Sequence, residues 1–574
     1  MDLDGKRIRG LEDKLFNNSY IGKVLHRIIT DNCYSSTPLL LYPSVLFIVC
    51  LFVYFLNIGN YALMDVDETR YVSMARDMFN SKDFLTLYLN GEYFFEKPPL
   101  YFWLECLSFG LFGHVSEFTV RFPVALMGIL STFAVYFTGK KIVNQKFGLI
   151  SALILTTTVE FAILARYAIL DIVVTSLIGI SVMFGILTQF IQEKNKKYFW
   201  WLFYLFSGFA VLAKGIPGFV VPFGVMFFVT LFNKTFKQNF RLQYILPGVI
   251  LFLLIILPWH IAMFNMHDPL FFNEYIMKHH INRFFSSSEI ARKQPFWFYF
   301  VTILWGAMPY MLSLIAVGIA KLKNWVKPDF SQMSDERKFL WFNIIGFCFT
   351  LLFFSSSSTK LVTYILPVYF FSSFIIGQIW YDYINEGKYR KAINLSVYIL
   401  GGIFVLASVV ACFTKFFLPA QLYSDILDAK WLCIALFGGF GISSIVLAMK
   451  NNFRGVFASY VAFIALLTAF GTPIFYNIDY KFGQNDLMNF AKQEAEAGHD
   501  LFVINGGRKY SVLYYYGKGV NYISFDDDTL LNGEIFGENS RAIIKNKDVE
   551  KIRKNHDFEE ISKGRKWTLV RFKN

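Results

Sequence analysis

Charged residues are scarce in this chain. Asp, Glu, Lys and Arg make up 17% of its 574 residues, whereas soluble domains usually carry about 25%. Hydrophobic residues make up 55%, and many of them fall in repeated stretches of about 20 residues, which is long enough to cross a bilayer. The composition therefore indicates a polytopic membrane protein. It excludes a disordered chain, a coiled coil and a series of soluble domains.

Cysteine is sparse as well, with six residues in the whole chain. These residues lie in or beside apolar segments and show no CxxC spacing, which argues against both a zinc site and a disulfide framework. We expect them to face lipid or to pack inside the protein. They are Cys33, Cys50, Cys106, Cys348, Cys412 and Cys433.

The net charge of +13 comes from Lys and Arg in the short turns between apolar stretches, so we expect no nucleic-acid partner. The first long apolar stretch begins near Thr37, after a polar tail, and no cleavable signal peptide is expected. With the N-terminus inside, the inner segments hold roughly twice as many Lys and Arg residues as the longer outer segments, as the positive-inside rule requires. This threading has thirteen spans, near residues 38–58, 119–138, 147–164, 170–191, 198–213, 216–232, 244–264, 296–318, 339–355, 361–381, 392–414, 430–449 and 455–475.

The predicted domains follow from this threading: a cytoplasmic tail at residues 1–37, a membrane domain at 38–475 and a soluble α/β domain outside the membrane at 476–574. Long outer loops usually carry function, and the first of them, at 59–118, contains the apolar patch Pro98 to Phe112, which we expect to form a surface helix. In the end domain we expect strands and a helix. The strands are predicted at Leu501 to Ile504, Ser511 to Tyr516 and Trp567 to Phe572, and the helix around Asp486 to Glu496.

The first outer loop contains an amphipathic helix by its spacing of apolar residues, which are Tyr71, Met74, Ala75, Met78 and Phe79. Asp65 with Glu68 fits a capping box at the start of this helix, and Asp67 falls in the first turn, where the helix dipole favours a carboxylate. A structural role therefore explains all three acids. A functional role is the alternative.

Asp171 supports the functional alternative. It is a second acid, at the point where a span meets the same outer face, and a carboxylate at the end of a span usually has either a charged partner or a functional role. A salt bridge to Arg166 or a helix cap is the structural alternative. Several cations also fall on this face, and together they suggest a site for an anionic lipid phosphate, although each one alone can simply reach the headgroups. His279 and His280 with Glu96 match no strong zinc spacing, so we expect no metal. The cations are Lys97, Lys214, Arg283 and Lys360.

Seven segments are recognisable in order along the chain. They are DETRY at 67–71, NGEYFFEKPPLYFWL, RYAILD, LAKG, LPWHIA, HHINRF and KLVTYILP. Together they resemble the lipid A aminoarabinose transferases, which belong to the polyprenyl phosphate dependent GT-C glycosyltransferases, as do the protein O-mannosyltransferases. The resemblance covers roughly residues 38–475 and implies a GT-C fold with periplasmic juxtamembrane helices.

The resemblance also implies a function: an enzyme of the bacterial inner membrane that transfers an aminosugar from undecaprenyl phosphate to lipid A, with its active site and end domain facing the periplasm. The sugar would be 4-amino-4-deoxy-L-arabinose or galactosamine. Asp67 and Asp171 would be the essential acids, and Lys97 and Arg283 would hold the donor phosphate. Further candidates for lining the cavity are Glu68, Arg70, Glu96, Lys214, His280, Lys360 and Tyr364.

The sequence departs from the family pattern at two positions. Val362 stands where many members have Pro, and Lys278 stands where some have a histidine that could bind a metal, which strengthens the expectation of a metal-independent enzyme. We expect inversion by direct displacement, since nothing in the sequence requires a covalent glycosyl intermediate. Two other functions stay open: a GT-C enzyme with another acceptor, such as a protein O-mannosyltransferase, and a polyprenyl lipid transporter without chemistry.

Overall fold

The computed structural model describes residues 40–239, 241–282, 294–322, 330, 332–524, 536–537, 539–554 and 556–573. This part of the chain is mostly helical. The α-helices span Leu41–Cys50, Asp67–Ser81, Leu100–Phe112, Glu117–Ile142, Gln145–Thr156, Val159–Leu164, Leu170–Leu187, Glu193–Lys214, Pro217–Phe232, Phe236–Asn239, Leu242–His267, Phe298–Gly306, Met311–Leu322, Asp335–Ser356, Val368–Glu386, Arg390–Cys412, Thr414–Phe417, Ala420–Asp425, Leu427–Met449, Phe453–Leu466, Thr472–Gly483, Asn485–Ala497, Tyr510–Tyr516 and Val549–Arg553. Leu51–Phe55, Phe272–Asn282 and Leu467–Gly471 are π-helical, and Val362–Ile365 and Asn546–Asp548 are 3₁₀ turns.

Seven helices in the described ranges are long and apolar enough to cross a membrane, or eight if one bent pair forms a single span. Four shorter apolar helices accompany them, among them Leu100–Phe112, where a surface helix is predicted. The length and hydropathy of these helices fit a polytopic membrane protein. The count of thirteen spans stays a prediction.

The bent pair corrects one predicted span. The apolar stretch at 296–318 is expected to be continuous, but it consists of Phe298–Gly306 and Met311–Leu322, whose axes differ by 112°. Gly306 and Pro309 lie at the break, and proline cannot continue a helix because it lacks the backbone N–H. A hydropathy window averages over such a break and therefore misses it.

The predicted capping box at the start of the first-loop helix, Asp67–Ser81, is wrong. No side chain caps this helix, because both predicted partners are engaged elsewhere. Asp65 accepts hydrogen bonds from Ser511, far along the chain. Glu68 is fully buried and receives two hydrogen bonds of 2.8 Å from the guanidinium of Arg121, on the helix Glu117–Ile142. This ion pair fastens the first-loop helix to the membrane helices.

The end domain contains a five-stranded sheet. Its strands are β3 (Asp500–Ile504), β4 (Asn521–Ile523), β5 (Ser540–Lys545), β6 (Phe558–Lys563) and β7 (Trp567–Phe572) in the order β4-β3-β5-β7-β6, and a separate hairpin of β1 (Tyr88–Leu89) and β2 (Glu92–Tyr93) lies in the first loop. Strand β3 is parallel to β4 and β5, and β7 is antiparallel to β5 and β6. The predicted α/β character of this domain is confirmed.

Alternating residues of the sheet enter two different cores. Phe502 and Ile504 pack in a cluster confined to the end domain, whereas Leu501 and Val503 join the large core that continues into the membrane helices, as the two-residue period of a strand requires. The segment predicted as a strand at 511–516 is instead the helix Tyr510–Tyr516, which corrects that prediction. Its aromatic residues favour a strand locally, but packing on the first loop selects the helix.

Candidate active site

A cavity of about 340 Å³ lies where several helix ends meet. One wall is the helix Leu170–Leu187, which contributes Asp171, Val174, Thr175 and Ile178. These positions follow the i, i+3, i+4, i+7 spacing of a single helix face. The Asp171 carboxylate therefore lies at the start of a helix face whose following residues in the cavity are mostly apolar.

The remaining walls of the cavity come mainly from two other helices and the loops beside them. The start of Pro217–Phe232 and the end of Asp335–Ser356 supply mostly apolar side chains. The lining residues outside the helix Leu170–Leu187 are Glu96, Lys97, Lys214, Ile216, Pro217, Val220, His279, Ile281, Phe353, Phe354, Ser357, Thr359, Thr363, Tyr364 and Pro367. A cavity with apolar walls and a few charged groups fits a ligand with a charged head and a hydrocarbon tail.

The charged end of the cavity is built around Asp171 and Lys214. Their side chains form a salt bridge, and each is 13% exposed. The ammonium of Lys214 also lies 4.0 Å from the centre of the Tyr364 ring. Arg166, which the sequence offers as a salt-bridge partner for Asp171, instead donates to the backbone oxygens of Val53 and Leu56. A sparsely hydrated ion pair of this kind interacts more strongly than one in water.

Glu96 and Lys97 border the same cavity from the first loop. The ammonium of Lys97 donates a hydrogen bond of 3.0 Å to the backbone oxygen of Glu96. His279 lines the cavity from the π-helical segment Phe272–Asn282, and its Nε2 lies 3.7 Å from a carboxylate oxygen of Glu274. The first loop and a later loop therefore both contribute polar groups to one site.

Asp67 is not among the residues that line the cavity. It is 48% exposed and forms an ion pair of 3.0 Å with Arg70, which also donates to the hydroxyl of Tyr71 at 3.1 Å. Burial opposes the charged form of Arg70, yet Tyr71 and the carboxylates of Asp67 and Glu96 raise its pKa. Arg70 thus interacts electrostatically with both Asp67 and Glu96, the second of which lines the cavity.

Two of the cavity-lining candidates are occupied elsewhere. Glu68 is buried against Arg121. Lys360 is buried, and its ammonium donates to the backbone oxygens of Ser357 at 2.6 Å and Gln294 at 3.1 Å. Desolvation on burial lowers the pKa of Lys360. Its contacts join two loops next to the cavity, so it shapes the wall without lining it.

Two further candidates, Arg283 and the side chain of His280, lie outside the described residues. The sequence reasoning also missed several polar lining residues, namely Thr175, Ser357, Thr359 and Thr363. Thr175 could have been found, because it follows Asp171 by four positions on a helix. The others lie in and beside the STKLVTY segment, where no local pattern shows their direction.

In the described ranges, no three His, Cys, Asp or Glu side chains are grouped closely enough to hold a metal ion. The chemistry of the described polar residues is that of cations and carboxylates around an apolar channel. Such a set can bind a phosphate and exchange protons with a hydroxyl or phosphate acceptor.

Comparison with known proteins agrees with this architecture. The sequence model of the dolichyl-phosphate-mannose-protein mannosyltransferase family matches residues 40–271. An uncharacterized protein of Aquifex aeolicus is 30% identical over 70% of this chain and 78% of its own length. A Proteus mirabilis protein, named undecaprenyl phosphate-α-4-amino-4-deoxy-L-arabinose arabinosyl transferase 2, is 28% identical over 72% of each chain. The chain belongs to the aminoarabinose transferase family of GT-C glycosyltransferases. The resemblance seen in the sequence is thereby confirmed.

The fold of the aminoarabinose transferase family extends through most of the chain. The crystal structure of ArnT from Cupriavidus metallidurans bound to undecaprenyl phosphate superposes with a TM-score of 0.74, at 19% sequence identity, over 92% of this chain and 97% of that chain. This match includes at least part of the end domain, because 92% of the chain is more than residues 1–475 contain. Like its relatives, the protein is a multi-pass membrane glycosyltransferase with a GT-C fold.

Proposed function

We propose that the protein transfers an aminosugar from undecaprenyl phosphate to lipid A. The donor class is supported by the names of its relatives, which specify undecaprenyl phosphate-linked 4-amino-4-deoxy-L-arabinose, and by the undecaprenyl phosphate bound to the structural neighbour. The observation that carries the proposal is the cavity, whose apolar walls end at the Asp171–Lys214 pair and at Lys97. An isoprenoid phosphate has this division between tail and head.

In the proposed complex the isoprenoid chain lies along the strip of Val174 and Ile178, and the phosphate lies at the charged end of the cavity, near Lys97. When the bond between sugar carbon C1 and the phosphate oxygen breaks, the sugar gains positive charge and the departing phosphate gains negative charge. Positioned cations stabilise that charge, and each such electrostatic group commonly contributes about 2.7–4 kcal/mol to the transition state. Lys97 and Arg283 are the proposed phosphate ligands.

Asp67 is proposed to act on the acceptor. A hydroxyl acceptor needs a general base, and an exposed carboxylate beside the cavity can accept its proton. If the acceptor is a phosphate of lipid A, it is already an anion at neutral pH, with a second pKa of about 6, and Asp67 then orients the acceptor. In both cases the acceptor attacks C1 opposite the departing phosphate, so the configuration inverts.

The proposed site faces the periplasm of the bacterial inner membrane, with the end domain on the same side. Support comes from the charge pattern, since the turns on the opposite side carry most of the Lys and Arg residues. A protein O-mannosyltransferase is the second candidate, because the sequence model of that family matches residues 40–271. A transporter is disfavoured, because Asp171 and Lys214 lie at the ends of continuous helices, whereas transporter sites are typically formed by helices that are broken midway.

Mass spectrometry of lipid A tests the proposal directly. Lipid A is compared between cells with the gene, cells without it and cells complemented with it. The expected result is a mass increase equal to one aminosugar that depends on the gene. Unchanged lipid A together with a gene-dependent loss of sugar from glycoproteins would overturn the lipid A assignment and favour the mannosyltransferase.

We propose that the transfer needs no metal ion. The groups assigned to stabilise the departing phosphate are lysine and arginine side chains, which can offset its charge without a cation from solution. Excess EDTA is expected to change the initial rate of transfer in vitro by less than about twofold. A rate that falls with EDTA and returns with added Mg²⁺, Mn²⁺ or Zn²⁺ would contradict this expectation.

A further inference from the structure

We propose that the end domain is a positioning element of the active site and that Asp65 is the residue through which it acts. The inference rests on the proposed transferase function. It concerns two residues. Asp65 lies two positions before the proposed catalytic residue Asp67, and Ser511 is the second residue of the helix Tyr510–Tyr516, which we call the bracing helix. Two hydrogen bonds join the carboxylate of Asp65 to Ser511.

These two hydrogen bonds use both oxygens of the Asp65 carboxylate. Oδ1 accepts from the backbone N–H of Ser511 at 2.7 Å, and Oδ2 accepts from its hydroxyl at 2.8 Å. Oδ1 also accepts from the hydroxyl of Thr69 at 2.7 Å, inside the first turn of the first-loop helix. Ser511 is fully buried. One carboxylate therefore joins the start of the catalytic helix to the end domain through hydrogen bonds to a charged acceptor, which are the stronger kind.

The bracing helix holds the first-loop helix at further points. Arg76, near the end of that helix, donates to the backbone oxygen of Tyr514 at 2.8 Å, and its guanidinium lies 5.7 Å from the centre of the Tyr514 ring. Before the helix, the backbone N–H of Leu63 donates to the hydroxyl of Tyr515 at 3.2 Å. The contacts on both sides of Asp67 limit its rotation and its translation along the helix axis.

The end domain also holds the second polar segment of the site. The side-chain amide of Asn90 donates to the backbone oxygen of Val520 and accepts from its backbone N–H, both at 2.9 Å. Asn90 is at the turn of the β1–β2 hairpin, which leads directly to Glu96 and Lys97. The end domain thus fixes both parts of the first loop that supply charged groups to the site.

The local sequence gives a reason why this support is needed. The first-loop helix has no side-chain cap, so the position of its start depends on the contacts of Asp65 and Glu68 with other parts of the chain. Ordering a loop costs conformational entropy for each residue, and the bonds to Ser511 fix the start of the helix. A misplacement of about 1 Å at a catalytic group can lower a rate by about 10²-fold, which makes the position of Asp67 sensitive to Asp65.

The test compares the full-length protein with its Asp65→Asn and Ser511→Ala variants. Asp65→Asn replaces the charged acceptor with a neutral amide, which weakens both links to Ser511. We expect kcat for transfer from undecaprenyl phosphate-aminosugar to fall by about 10- to 100-fold, and the KM for that donor and the Kd for undecaprenyl phosphate to change by less than about twofold. Ser511→Ala, the milder variant, is expected to lower kcat severalfold.

The two variants also test whether Asp65 acts through Ser511. Ser511→Ala introduced into the Asp65→Asn protein should lower kcat less than it does in the wild type, because coupled residues are not additive. The matched control is Glu559→Gln, an exposed carboxylate on the β6 strand of the same domain that pairs with Arg571. It should keep the wild-type kcat.

The outcomes separate this inference from the proposed function. Transfer by the wild type with an unchanged kcat in both variants would overturn the inference and leave the proposed function intact. A loss of donor affinity equal to the loss of kcat would also overturn it, because it indicates general damage to the fold. Absence of transfer by the wild type would overturn the proposed function and the inference together.

Discussion

The Asp67→Asn variant is expected to lose sugar transfer by about 10²–10⁴-fold, the usual contribution of a general base. Asparagine has nearly the same size and can still accept a hydrogen bond from Arg70, so the ion pair of 3.0 Å becomes a hydrogen bond from a charged donor to a neutral acceptor and the fold is retained. Undecaprenyl phosphate should bind with its wild-type Kd, because Asp67 does not line the cavity. Transfer is measured in vitro as sugar incorporated into purified lipid A.

The control for this variant is Asp77→Asn, which changes an acid of similar exposure on the same helix, 39% against 48%. Asp77 lies three turns along the helix from the site and should keep full activity. Wild-type transfer rates in Asp67→Asn would remove the catalytic and the acceptor-orienting role together. A loss of undecaprenyl phosphate binding would instead place Asp67 at the donor.

The Lys97→Ala variant is expected to bind undecaprenyl phosphate about 10- to 150-fold more weakly, since a hydrogen bond to a charged group contributes about 1.5–3 kcal/mol. In the present structure the ammonium of Lys97 donates to the backbone oxygen of Glu96, and a phosphate offers a stronger acceptor at the same cavity wall. The Kd is measured by calorimetry in detergent or nanodiscs. Transfer should fall as well, because the departing phosphate loses a cation.

Lys278→Ala serves as the matched control for Lys97→Ala. Lys278 is 44% exposed and pairs with Glu274 along its own helical segment, next to the cavity-lining His279. If both variants weaken binding equally, the effect comes from the general positive field and not from a contact of Lys97 with phosphate. Equal affinity in Lys97→Ala and the wild type would remove this residue from the donor site.

Much of the fold follows from the sequence because it depends on local hydrophobicity. Three elements are present where their patterns predict them: the helix at 67–81, the helix around Asp486 to Glu496 and the strand at Trp567 to Phe572. The errors have a common cause. The helix Tyr510–Tyr516 and the bent pair around Gly306 depend on contacts or breaks that a window of residues does not show.

The candidate site was only partly visible in the sequence for the same reason. Asp171, Lys97 and Tyr364 line one cavity, and each stands in a segment that resembles the family. The salt-bridge partners of these acids did not follow from the sequence. Asp171 pairs with Lys214 and Glu68 pairs with Arg121, and both partners are distant along the chain. Residue types and family motifs therefore indicated which groups are polar and important, but pairing needed the tertiary structure.

The bond between Asp65 and Ser511 has a consequence for the biogenesis of the protein. The two residues are 446 positions apart, so a ribosome that adds about 5–20 residues per second needs about 20–90 s to pass from one to the other. During that time the helix that carries Asp67 has its ion pair between Glu68 and Arg121 but not its bonds to Ser511. The bonds that fix Asp65 can therefore form only after translation has passed residue 511, and we expect the wild-type kcat only in a chain that has reached this length.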